Sequence, residues 1–149
     1  MRKVIFIVFL AAAAAFPQGG APKQGATKGQ AAPSKAKKLT RAELDGLLAH
    51  PEQVLLLDVR RPDEVSSIGG FPVYLSIQAG ELEKHLSEIP RDKVIVTISN
   101  HATRAGRAAD LLDSKGFKVA GAVGVEDYES EGGTIVKIEV PKQSAAQKK

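Results

Sequence analysis

Residues 94–112 read VIVTISNHATRAGRAADLL, and this stretch carries the pattern that decides the fold. Val94–Ile98 is a continuous apolar run, which is typical of a strand buried on both faces. Ser99–Thr103 is a polar loop, and a helix is predicted from about Arg104 to Lys115, where Gly116 would end it. A strand, a loop and a helix in succession form the repeating unit of an α/β fold with parallel strands.

The same unit recurs on both sides of this stretch. Upstream, Thr40 and Glu43 form a capping box that opens a predicted helix over 41–49, and Val54–Leu57 is a second apolar strand. The sequence therefore predicts an α/β fold with a mainly parallel central sheet and helices on both faces. The other predicted elements are an extended segment Val73–Ile77, a helix Ala79–Glu88, a strand Lys118–Val123, a helix Val125–Ser130 and a last strand Ile135–Val140.

The composition separates a folded part from basic ends. The chain has 149 residues and no cysteine, so disulfides, zinc–thiolate sites and cysteine nucleophiles are excluded. Residues 1–38 hold seven Lys or Arg and no acid, whereas residues 39–140 hold 11 basic and 17 acidic residues, a net charge of −6. Because the excess of positive charge lies in the ends and the folded part is net acidic, the sequence predicts no nucleic-acid binding.

The amino terminus matches a secretory signal. Arg2 and Lys3 precede Val4–Phe16, an apolar run of 13 residues that ends in small side chains. We predict a signal peptide over 1–16, cleaved near Ala13–Phe16, and an exported protein, periplasmic or secreted. The run is too short to cross a bilayer easily, so no transmembrane domain is expected after cleavage. An uncleaved anchor and a buried helix are the alternatives.

The rest of the chain divides into three predicted regions. Residues 17–38 contain Gly, Ala, Pro, Gln, Ser and Lys with no large apolar side chain, which predicts a flexible basic linker. Residues 39–140 form the folded domain, and 141–149 are predicted to be a disordered basic tail. The positive linker either contacts an anionic envelope surface or is simply solvated.

One combination of motifs resembles a known family. The block LLLDVRRPDE at 55–64, the six-residue loop ending in Arg104, the Gly116-Phe117 pair and Gly124 before a short helix together resemble a single rhodanese-like domain. The resemblance covers about residues 40–140. It implies a three-layer fold and implies that Asp58 and Arg60 support the loops around the site.

The resemblance also identifies a departure from the family pattern. A rhodanese carries Cys at the first position of its C-x-x-x-x-R loop, where the thiolate accepts sulfane sulfur as a persulfide. Aligned on Arg104, that position is Ser99, and a hydroxyl cannot hold a transferable persulfide. Sulfurtransferase activity is therefore not expected. Two smaller departures are Ser67–Pro72 in place of a Gly-His-Ile-type segment and Tyr128 in place of a Trp.

The loop after Ile98 is the predicted binding site. Its backbone N–H groups converge at a helix N-terminus, which favours an anion. Arg104 is expected either to contact that anion or to lock the loop through its carbonyls. The predicted function is a non-catalytic module that binds a small anion or an envelope protein. The predicted loop residues are Ser99, Asn100, His101, Ala102, Thr103 and Arg104.

An alternative function is a Ser99-dependent hydrolase or phosphatase, with His101 as the base and Asp58 as the orienting acid. Metal binding is not expected, because the three histidines, His50, His85 and His101, have no ligand spacing. No glycine fingerprint or Walker-type lysine is present, so neither a nucleotide nor any other cofactor is predicted.

Overall fold

The computed structural model describes residues 33–72 and 74–137. The predicted signal peptide, most of the predicted linker and the predicted tail lie outside these residues. The helices and strands, in chain order, are α1 (Arg41–Leu48), β1 (Val54–Asp58), α2 (Pro62–Ile68), β2 (Leu75–Ser76), β3 (Val94–Ser99), α3 (Ala102–Ser114), β4 (Val119–Gly124) and α4 (Val125–Ser130). Three 3₁₀ turns occur at Pro51–Gln53, Leu82–Lys84 and Leu86–Glu88.

The four strands form a parallel sheet in the order β2-β1-β3-β4. Leu56 lies opposite Val96, and Ile98 lies opposite Val123. Parallel strands need crossover connections, and helices supply those after β1 and β3. The predicted parallel α/β fold is confirmed.

Apolar side chains alternate between the two faces of this sheet, which gives three layers. On the face covered by α1 and α4, Leu44, Val96 and Tyr128 belong to one core cluster. On the opposite face, Ile95 packs with Leu112 of α3 in a second cluster. The longest helix, α3, has 13 residues. No helix within residues 33–72 and 74–137 is long and apolar enough to cross a membrane.

The end of the predicted linker lies against the sheet. Lys38 forms a parallel bridge with Ala122 of β4. The Leu39 N–H donates to the Ala122 carbonyl at 2.9 Å, and the Ala122 N–H donates to the Lys37 carbonyl at 2.8 Å. Lys35 also donates its backbone N–H to the Asp110 carboxylate. The last residues before the domain are therefore held at the outer edge of β4.

The predicted helix Ala79–Glu88 is wrong in type. The structure has two 3₁₀ turns there, in which Lys84 donates to the Glu81 carbonyl and Glu88 to the His85 carbonyl. Gly80 is a weak helix former near the start, and Ile89 is extended (φ −91°, ψ 121°), because the residue before a proline avoids the helical region. Leu82 is nevertheless buried, as its spacing predicted.

Two other predicted boundaries differ from the structure. Helix α3 begins at Ala102, two residues before the predicted start at Arg104. The predicted strand Ile135–Val140 is, in its described part, a single antiparallel bridge between Val136 and Gly70. Gly70 lies just beyond the end of α2 and two residues before Pro72, so the ladder has no extended partner along which to continue.

Candidate functional site

The carboxyl ends of β1 and β3 bring the predicted site residues together. Asp58 lies opposite Ile98 in the sheet, so Asp58 and Ser99 end neighbouring strands at the same edge. This is the edge at which ligands bind in open parallel sheets. The segment after β1 and the loop after β3 therefore share one location, although they lie about 40 residues apart in sequence.

Ser99 lies at the bottom of its loop and is fully buried. Its hydroxyl donates to the His101 carbonyl at 2.5 Å and accepts from the Ala105 N–H at 3.0 Å. The hydroxyl therefore bridges the two ends of the loop. Its proton and its acceptor site are both used within the chain, which makes Ser99 a structural element of the loop.

Asp58 and Arg60 form a buried ion pair beneath the loop. Both side chains are almost completely inaccessible. The Arg60 guanidinium donates through Nη2 to Asp58 Oδ2 at 2.7 Å and through Nε to Asp58 Oδ1 at 3.0 Å. Gly70 covers this pair, since a Cβ there would lie 2.7 Å from Arg60 Nη2. This pairing through two hydrogen bonds compensates the carboxylate and the guanidinium for the loss of their contacts with water.

Arg104 is held by Glu64, a residue that sequence reasoning did not select. Its Nη1 and Nη2 donate to the two Glu64 carboxylate oxygens at 2.8 and 2.6 Å. Asn100 donates a third hydrogen bond to the same carboxylate at 2.8 Å. The Arg104 hydrogen bonds are the main cause that lowers the pKa of Glu64 to about 2. Arg104 therefore locks the loop through a carboxylate and not through the loop carbonyls.

The sequence contained one signal for Glu64. This residue is the third of helix α2, where its carboxylate accepts from the Arg61 N–H at 3.0 Å, and it closes the LLLDVRRPDE block. The capping position predicts the local hydrogen bond. It does not predict the pairing with Arg104, because that contact depends on how the two loops meet.

His101 is exposed and faces two carboxylates of α4. Its Nε2 lies 3.0 Å from Glu126 Oε2, and its Nδ1 lies 3.4 Å from Asp127 Oδ1. Asp127 is also paired with Lys38 at 2.8 Å. The pairing with Lys38 is the main cause that lowers the pKa of Asp127, and the His101 contact adds to it. Asp127 thus joins the loop to the segment that precedes α1.

The arrangement does not assemble the triad of the hydrolase alternative, so that prediction is wrong in its geometry. The Ser99 hydroxyl contacts the His101 carbonyl, while the imidazole ring points to Glu126 and Asp127. Asp58 is occupied by Arg60. A general base must reach the nucleophile within hydrogen-bond distance, and the imidazole is engaged elsewhere.

The loop also differs from the expected open anion cradle. The Ala105 N–H is taken by the Ser99 hydroxyl. Both guanidinium groups beside the loop carry a bound carboxylate. Thr103 and His101 are the exposed residues of the loop. Anion binding by residues 99–104 stays a prediction, and an incoming anion would have to displace a carboxylate of the chain. Among the described residues, no cluster of three or more metal-ligating side chains is present.

The fold and this loop define a rhodanese-like α/β domain, and solved structures share that fold. A rhodanese-related protein from Thermoplasma volcanium superimposes with a TM-score of 0.59 at 26% identity, covering 69% of this chain and 99% of that one. A thiosulfate sulfurtransferase from Pseudomonas aeruginosa superimposes with a TM-score of 0.58 at 24% identity, covering 70% of this chain and 21% of that one.

Two relatives in sequence are named as sulfurtransferases. A putative sulfurtransferase of Bacillus subtilis is 28% identical over 88 residues, which are 59% of this chain and 84% of that protein. A sulfurtransferase of Allochromatium vinosum is 33% identical over 70 residues, 47% of this chain and 64% of that protein. No protein-family model matches the chain. Together the relatives and the solved structures support a rhodanese-like domain.

Proposed function

We propose that this chain is a non-catalytic rhodanese-like domain that acts after export and binds a protein partner through its 99–104 loop. The observation that carries the proposal is the state of Ser99. Its hydroxyl stands where the family resemblance places a reactive thiol, and it is buried with its proton donated to the His101 carbonyl. The chain has no cysteine to replace it.

The relatives are named as sulfurtransferases, and Ser99 differs in its chemistry from the thiol that such a reaction needs. Sulfur transfer through a persulfide needs a thiolate that forms and breaks sulfur–sulfur bonds. The hydroxyl of Ser99 lacks that chemistry, and its hydrogen bonds hold it inside the loop. The same fold therefore serves here to present a surface and not to carry sulfur.

The loop suits recognition because it is already ordered. Glu64 binds Arg104 and Asn100 on one side, and Glu126 and Asp127 lie against His101 on the other, so the loop is fixed from both sides. A preordered surface loses little conformational entropy when it binds. The pairing of Arg104 with Glu64 favours a protein partner over a free anion, since a small anion would compete with a tethered carboxylate.

The catalytic part of the proposal is tested by activity assays on the wild type and on Ser99→Ala. Thiosulfate-to-cyanide sulfur transfer and the hydrolysis of p-nitrophenyl acetate and p-nitrophenyl phosphate should all stay at the buffer rate for both proteins. Turnover that is present in the wild type and absent from Ser99→Ala would overturn the proposal.

The binding part is tested with a change on the exposed loop surface. Thr103→Glu alters the charge of that surface, and Lys118→Glu is a matched change at an exposed site outside the loop. A partner isolated from envelope extract should, after purification, bind the wild type and Lys118→Glu but not Thr103→Glu. A partner that binds all three proteins equally would show that the loop is not the binding surface.

Export rests on Arg2, Lys3 and the apolar run Val4–Phe16. The mature protein should be recovered outside the cytoplasm with a new amino terminus near Ala13–Phe16, which intact-mass measurement detects. A chain that keeps Met1 and stays in the cytoplasm would refute this part of the proposal without affecting the loop.

A further inference from the structure

Beside the loop, a separate groove runs along α3. It has a volume of about 440 Å³ and lies between the first turns of α3 and the stretch Ala79–Leu82. Its walls include Ala108 and Leu111 of the helix. This volume lies within the range of small-molecule sites.

The wall of the groove is mainly apolar and fixed in position. Leu82 and Ala108 are buried, and both belong to the core cluster on this face of the sheet. Leu111 is partly buried against the same cluster. Leu82 and Ala108 thus form a closed floor, and an apolar body in the groove would cover the accessible surface of Ala79 and Leu111, which the core already holds in place.

The rim of the groove carries one cationic side chain that forms no ion pair among the described residues. Arg104 also lines the groove, but its guanidinium is bound by Glu64. Arg107, one turn further along the same helix face, is exposed, and in residues 33–72 and 74–137 no carboxylate lies within 4 Å of its guanidinium. At the far end, Lys115 pairs with Glu83 at 3.2 Å.

We infer that this groove binds a small amphipathic anion, with an apolar body against Ala79 and Leu111 and a carboxylate on Arg107. The distance along α3 from Arg104 to Leu111 is about 10 Å, which limits the apolar body to a short chain or a small ring system. A free cation at the rim of an apolar groove supplies what such a ligand needs, since the apolar body gains from burial and the carboxylate from a charge-assisted hydrogen bond.

The ligand contacts inferred for this site are separate from the loop surface. Arg104 belongs to both the loop and the groove wall, but its guanidinium is bound by Glu64 and the inference places no ligand group on it. The inference therefore goes beyond the proposed function. A result that overturns one leaves the other standing, because partner binding is scored with Thr103→Glu and groove binding with Arg107→Gln and Gly80→Leu. Thr103→Glu is not used in the groove test, since its carboxylate would lie one turn before Arg107 on α3 and would pair with it.

The test uses octanoate as the probe in isothermal titration calorimetry with the full chain, below the concentration at which octanoate self-associates. We expect saturable binding of octanoate, and weak or absent binding of octanol and of sulfate at equal ionic strength. Arg107→Gln should weaken octanoate binding about tenfold, while Lys118→Gln, which removes one exposed charge elsewhere, should not change it.

A second pair of variants tests the apolar part. A Cβ at Gly80 meets no atom within 4 Å, and the same is true of Gly46 on α1. Gly80→Leu should therefore fill the groove and abolish octanoate binding, while Gly46→Leu should retain it. Thermal unfolding checks that each variant is folded. If Gly80→Leu does not fold, Arg107→Gln, a change at an exposed residue, still decides the test.

The outcomes separate cleanly. No saturable binding of octanoate, equal binding of octanol and octanoate, or unchanged affinity in Arg107→Gln would each overturn the inference. Loss of affinity in Arg107→Gln and in Gly80→Leu, with both controls intact, would establish the groove as an amphipathic-anion site.

Discussion

Replacing Glu64 by glutamine should release the clamp on Arg104 and destabilise the domain at neutral pH. The pKa of Glu64 lies at about 2 in the folded protein, against 4.5 for an ordinary glutamate. A shift of this size corresponds to at most about 3 kcal/mol of unfolding free energy. The Arg104 side chain is 36% exposed and that of Glu64 15%, so solvent screens part of the interaction. We expect Glu64→Gln to cost about 2 kcal/mol, or about 10 °C in Tm.

The pH dependence gives this prediction a distinctive signature. Because the folded-state pKa of Glu64 is depressed, its stabilisation is complete above about pH 5 and is lost as the pH falls through about 2. The difference in unfolding free energy between the wild type and Glu64→Gln should therefore be largest at pH 7. At pH 3 it should shrink to less than about half of that value.

Urea unfolding at pH 7, 5 and 3 measures this difference directly. The control is Glu83→Gln, which removes an exposed ion pair with Lys115 and should cost less than about 1 kcal/mol. If Glu64→Gln costs no more than this control at pH 7, or if its cost is the same at pH 3, the clamp does not stabilise the fold and the reasoning is refuted.

Three further changes test other contacts. Tyr128→Phe removes the hydrogen bond from the Tyr128 hydroxyl to Asp45 at 2.7 Å and should cost about 1 kcal/mol. Because burial raises the pKa of Tyr128, the wild type should also lose stability as the pH rises above about 10. Unfolding followed by circular dichroism should show this loss in the wild type and not in Tyr128→Phe. Gly121→Ala would place its Cβ 2.5 Å from the Lys37 carbonyl oxygen, so it should displace residues 37–39 from β4 and increase proteolysis at Lys37 and Lys38; unchanged proteolysis would contradict this packing. Ser99→Ala leaves the buried Ala105 N–H without an acceptor and should lower the unfolding free energy by about 1–3 kcal/mol, measured in urea; a neutral effect would mean that the loop does not need this bridge.

Local patterns predicted the elements whose causes are local. The capping box of Thr40 and Glu43 begins α1 as expected, and the short helix Val125–Ser130 has the predicted limits. The apolar run from Val94 forms a central strand that is buried on both faces. In each case neighbouring residues supply the hydrogen bonds or the burial pattern that determine the structure.

Contacts between distant residues account for what the sequence analysis missed. The position of the His101 ring depends on Glu126 and Asp127, and the state of Arg104 depends on Glu64, 40 residues away. The sequence therefore predicted where the loop lies and which residues it contains. It did not predict that carboxylates from α2 and α4 would bind the donor groups of the loop. The stretch after Ala79 followed a helical spacing of apolar residues, but Gly80 and Pro90 limited its backbone to 3₁₀ turns.

The strand-like segment beside β4 also sets how the domain responds to a mechanical load. Lys37, Lys38 and Leu39 run parallel to β4, and two backbone hydrogen bonds, of 2.8 and 2.9 Å, join them to Ala122. A force applied to the chain before Pro33 and directed along this segment would load both bonds in shear at the same time. Parallel strands loaded in shear yield together and not one bond after another. Tension on the amino-terminal side would thus meet the Lys35–Asp110 hydrogen bond and then the edge of β4, before it reached the loop that carries Ser99.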